Sequence, residues 1–194
     1  MYDIPTSIII DGNEYFIREK GDYRMVLDCL VTLEDEELTT EERIIASLII
    51  FYEDFNSLED VTLFENKKGA VEEMYRFINC GQNESPGMNV NHKVIDWKQD
   101  SQLICSAINK VANTEVRAVP YMHWWTFMGY YLAVGESALS TVVAIRSKLI
   151  KGKKLEKYEQ EFRRNNPKYF SWNSRTVQQR EADELVKQIW NSGE

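Results

Sequence analysis

Histidine, cysteine and glycine are scarce in this 194-residue sequence, which has 2, 3 and 9 of them. Each shortage closes off a class of chemistry. His92 and His123 have no partner at the i, i+4 spacing of a helical metal site, so no metal centre is expected. Cys29, Cys80 and Cys105 are odd in number, widely spaced and without a CxxC pair. They sit in apolar helical patterns and read as free thiols that fill a core. Neither a glycine-rich phosphate loop nor a GxSxG nucleophile elbow is present. No apolar run approaches the roughly 18 residues that cross a bilayer, and the start, MYDIPTSIII, lacks a basic stretch followed by an apolar signal core. The expectation is a cytosolic protein that is not an enzyme and carries no cofactor.

What is present is a globular composition, 43% hydrophobic and 28% charged, without a linker rich in Pro, Gly or Ser and without an internal repeat. Charge is uneven. The first hundred residues hold 22 acids and 9 bases, whereas Arg146 to Arg180 holds 11 bases and 3 acids. Such a basic end suits nucleic acid, an acidic protein, the acidic half of another copy, or simply a solvated helix face. The acidic run Glu34 to Glu37 with Glu41 and Glu42 lacks the ligand pattern of a calcium loop and reads as a solvated helix entrance.

Periodicity predicts a mainly α fold, with an N-terminal β-hairpin packed on a bundle of about six helices. SIIIDGNEYFI is the hairpin, turning at Asp11-Gly12. Helical stripes follow at Tyr23, Val26, Leu27, Leu30 and Val31, then from a Thr39 or Thr40 cap through Ile44 to Tyr52. A third runs through Val71, Met74, Tyr75 and Ile78 to a left-handed stop at Gly81, before an exposed loop, QNESPGMNVNHK, that carries His92. The fourth, entered near Asp96 or Asp100, has Ile104, Ala107, Ile108 and Val111 on one face. Pro120 suits the first turn of a central helix over 121–134, and two further helices follow, the basic one stopping before Pro167.

YMHWWTFMGYY, at the heart of the predicted central helix, is open to two readings, core and partner surface. Trp124 and Trp125 lie about 100° apart around a helix, so one can be buried while the other reaches the rim. Trp125 is placed in the core. Residues expected to touch a partner are Trp124 and the cations Lys151, Lys153, Lys154, Lys157, Arg163 and Arg164. His123 is read either as a hydrogen-bonded structural histidine or as a group that poises a carboxylate or thiol.

The order of these residues resembles a tail-region family of long-tailed bacteriophages and prophages, the bacteriophage gene-product-fifteen family. The resemblance is carried by His123, Trp124, Trp125 and Phe127, the turn at Gly135 and the following Ile145 and Arg146. Phe77, Cys80 and Gly81, the Asp96 and Asp100 helix entrance, and Pro5 before the Asp11-Gly12 hairpin resemble it further upstream. Ala133 and Val134 depart from the family's pattern before the turn. Residues 1–170 are thereby taken as one domain and 171–194 as a C-terminal amphipathic extension with Val177, Leu185, Ile189 and Trp190 as anchors. The resemblance implies a tail assembly chaperone in the bacterial host cytosol. Its implied partners are the tape-measure protein and also a tail-tube protein or an upstream tail chaperone, while the uneven charge adds self-association with a second copy. The alternatives are a structural tail component of the virion and a nucleic-acid-binding protein that uses residues 146–180.

Overall fold

The Asp11-Gly12 turn works because both residues take left-handed backbone, at φ 51° and 82°, as a two-residue hairpin loop with right-twisting strands requires. It joins β1 (Ser7–Ile10) to β2 (Asn13–Phe16), antiparallel from the Ser7–Phe16 pair to the Ile10–Asn13 pair. The computed structural model describes residues 3–82 and 94–171. Most of the loop after Gly81, His92 with it, and the C-terminal segment after Ser171 lie outside the described residues. Within them the chain has this hairpin and eight α-helices, so the fold is mainly α as periodicity predicts. It divides into two compact units, Met1–Ser140 and Thr141–Glu194.

In the first unit α1 (Tyr23–Leu33) pairs with α2 (Thr40–Phe51), which begins at a Thr39 capping box closed by Glu42. Acids at this end are electrostatically favoured by the helix dipole. α4 (Lys67–Ile78) lies against β1 and α2, and α5 (Ser101–Ala112) packs on α6 (Trp124–Leu132). Their common interior holds Val26, Leu48, Phe51, Tyr52, Met74, Phe77, Ile108, Trp124 and Phe127, all buried. Each such side chain contributes on the order of 1.5–3 kcal/mol by leaving water.

Three features differ from the sequence expectation. A short helix α3 (Leu58–Leu63), capped by the Ser57 hydroxyl, was not predicted, because six residues give too few turns for a period to register. The aromatic helix begins at Trp124, three residues later than predicted. The cause is tertiary: Tyr23 N–H donates to Met122 O at 2.9 Å and Met122 N–H to the Asp22 carboxylate at 2.9 Å, so the backbone at 122 is committed to the start of α1. Pro120 therefore lies outside the helix. Finally, Trp124 is fully buried and Trp125 only partly, the reverse of the roles assigned from spacing; Leu132, placed on the apolar stripe with Trp125, is exposed.

The second unit holds most of α7 (Ala138–Ile150), with Val142 and Ile145 buried, and α8 (Lys157–Asn165). As expected, α8 ends ahead of Pro167, which instead opens a 3-10 turn over Pro167–Tyr169.

Candidate protein-binding groove

Gly152, at φ 63°, turns the chain out of α7, and Lys153 N–H closes the helix end on Lys148 O at 2.8 Å. Leu155 then folds inward while Lys153 and Lys154 stay exposed. α8 carries Arg163 and Arg164 in its last turn, where the helix dipole favours cations. Beyond it the 3-10 turn is held by the buried Arg146, whose Nε donates to Tyr169 O at 2.8 Å, and sets Phe170 edge-on to Phe162. Arg146 thus serves inside the unit and is not a surface cation.

These turns gather Leu149, Leu155, Pro167 and Phe170 around one hollow of about 700 Å³, with Lys153, Arg163 and Arg164 also on its lining. An apolar surface flanked by cations suits an acidic amphipathic segment: apolar side chains fill the hollow, and carboxylates meet the cations. One acid of α8 is already neutralised. The buried Glu159 carboxylate accepts from Lys148 Nζ at 2.7 Å and from Glu156 N–H at 2.8 Å. The Lys148 ammonium holds it below the usual carboxylate range, and Glu159 in turn raises Lys148.

Of the sequence-predicted partner residues, Lys153, Arg163 and Arg164 come together here, whereas Lys151, Lys154 and Lys157 are exposed and do not line the hollow. Trp124 belongs to the first unit, where its Nε1 donates to Ile78 O at 2.8 Å. Leu149, Leu155, Pro167 and Phe170 were not picked from the sequence as partner residues, since residues scattered over one helix, a loop and a turn share no period.

His123, the other residue weighed for chemistry, is a structural histidine. Its Nδ1 accepts the Trp125 backbone N–H at 3.1 Å, capping α6, which assigns the proton to Nε2, 3.0 Å from Pro5 O. Both nitrogens are used by the neutral ring, and burial lowers its pKa. Nor are the thiols activated: burial pushes Cys29 up to about 12 and raises Cys80 and Cys105. Among the described residues no group of three or more His, Cys, Asp or Glu side chains is placed to hold a metal ion, and no helix is long and apolar enough to cross a membrane.

Compared with known proteins, the chain matches the family model described as Bacteriophage Gp15 protein over residues 1–170. No curated protein and no solved structure matches it.

Proposed function

The chain belongs to the bacteriophage Gp15 protein family, and from that membership we propose that it is a non-enzymatic tail assembly factor, a chaperone for the tape-measure protein in the host cytosol. The observation that carries this reading is the groove of the second unit, apolar within and cationic along its lining. A tape measure is a long helical chain that must stay soluble and extended until tube subunits polymerise around it. That task calls for many weak, reversible contacts. Exposed ion pairs of about 0–1 kcal/mol each, added to a modest apolar surface, supply binding that assembly can undo. Tail-tube protein, an upstream tail chaperone and a second copy of the chain are the further partners of this reading.

The test is made on the phage. With the gene disrupted, full-length tails should be absent; with it intact, mass spectrometry of purified particles should find tape measure and tube protein but not this chain. Finding the chain in many copies per particle would assign it to the virion as a structural subunit instead.

A further inference from the structure

The hollow lies where the described residues end, and the chain runs on from its edge: Ser171, the last described residue, is itself on the lining. The sequence beyond has the complementary chemistry. Ala182, Leu185, Val186, Ile189 and Trp190 recur at i, i+3, i+4, i+7 and i+8, the spacing of one helical face. Glu181, Asp183 and Glu184 cluster at the beginning of that run. We propose that the groove of the second unit binds this chain's own amphipathic segment 177–190, with Leu149, Leu155, Pro167 and Phe170 receiving its apolar residues and Lys153, Arg163 and Arg164 the carboxylates of Glu181, Asp183 and Glu184.

Reach and concentration favour this occupant over a free one. Residues 172–176 are the whole tether between Ser171 and Val177, at most about 18 Å when extended, so the segment is confined to the neighbourhood of the groove. A short flexible tether gives an effective concentration on the order of millimolar, which a second copy at micromolar concentration does not match. Charge narrows the contact, since the three acids Glu181, Asp183 and Glu184 lie together between Arg180 and Lys187 and are the carboxylates the cations would meet. This is the same groove as in the chaperone reading: in the free chain the tethered segment fills it, and a tape measure binds there by displacing the segment.

Hydrogen exchange on the full chain tests it. Leu185→Asp with Ile189→Asp should speed exchange in peptides covering residues 149–170 by at least about fivefold, the sign that an occupant has left. Protection in the wild type should not change on dilution over about two decades of concentration, because a tethered contact is independent of it. Arg163→Glu with Arg164→Glu should expose the 177–190 peptides in the same way, and adding Glu181→Arg with Glu184→Arg should restore their protection, which a merely misfolded variant would not do. Unchanged exchange after the Leu185 and Ile189 substitutions, or no recovery in the charge swap, overturns the proposal. Protection that disappears on dilution overturns it in favour of a second copy.

Discussion

Trp124 and Trp125, neighbours in sequence, end on neighbouring carbonyls: their indole N–H groups donate to Ile78 O at 2.8 Å and Phe77 O at 2.9 Å. At the end of α4 Ile78 O takes its donor from Trp124, while Phe77 O, which already accepts the Cys80 N–H at 2.9 Å, gains a second donor from Trp125. Because Trp124 is buried and Trp125 only partly so, the two bonds differ in worth. Trp124→Ala is expected to cost about 3–5 kcal/mol, as large aromatic truncations in cores do, and Trp125→Ala about 1–3 kcal/mol. Urea midpoints for the two variants check this. Equal losses would contradict the burial difference.

Gly21 is the second point where α4 and α6 constrain the chain. Its φ of 77° is left-handed, and a Cβ built there would stand 2.8 Å from the Phe77 ring and 3.0 Å from His123 Nε2. Gly21→Ala therefore combines backbone strain with overpacking and should destabilise by about 2–4 kcal/mol. The same substitution at Gly135, where nothing lies within 4 Å, serves as the control and should change the midpoint little.

The hairpin, the Thr39 cap and the Gly81 stop were legible because each rests on local chemistry: a turn pair, a capping hydroxyl, a left-handed glycine. The stripe of α1 was legible in part: Tyr23 and Val26 are buried, but Met25 and Cys29 are buried with them where Leu27, Leu30 and Val31 are only half-buried. The start of α6 was not. Its true cap is His123, a residue type that seldom signals a helix start, and the competing bonds come from Asp22 and Tyr23 a hundred residues earlier. Adjacent tryptophans also give no clue to which faces inward, since both lie on apolar stripes and the packing of α6 on α5 and α1 is tertiary. Basic charge marked the stretch that supplies the cations of the hollow, but its apolar members are assembled only by the turn at Gly152 and the stop at Pro167.

Stability should fall with acid through His123. Burial lowers its folded pKa below the ordinary 6.5, so between the two values the unfolded chain binds a proton that the folded chain does not. The contribution is fully present above 6.5, declines as pH falls through 6.5 and levels off below the folded pKa. Protonating Nδ1 would also remove the acceptor that caps α6. Urea midpoints near neutrality and about two pH units lower should separate for the wild type, and the separation should shrink in His123→Asn. An identical pH slope in that variant would contradict the neutral, buried ring.

In the second unit the Lys148–Glu159 pair gives a double-mutant test. Lys148→Met leaves a buried carboxylate without its cation and should loosen α8, read as faster amide exchange over Lys157–Asn165. Adding Glu159→Gln should recover part of the protection, since the amide oxygen can still accept from Glu156 N–H. The Glu159 contribution in the wild type is present above the ordinary carboxylate value of 4.5 and is lost as pH falls through its lowered folded pKa. In Lys148→Met the loosening should begin at higher pH.

On the proposed function, the groove of the second unit holds a protein of the assembling tail. Single exposed cations are worth little, so the informative variant reverses Lys153, Arg163 and Arg164 to Glu together. Rising salt weakens protein and duplex binding alike, and usually the duplex more steeply, so both are compared at one near-physiological salt. The most direct measurement presents wild type and triple variant to co-expressed tape measure and, separately, to duplex DNA. Wild type is expected to co-purify with the tape measure, the triple variant to lose most of this capture, and neither to bind duplex at submicromolar concentration. Submicromolar duplex binding by the wild type, without any capture of tail protein, would contradict the proposed function.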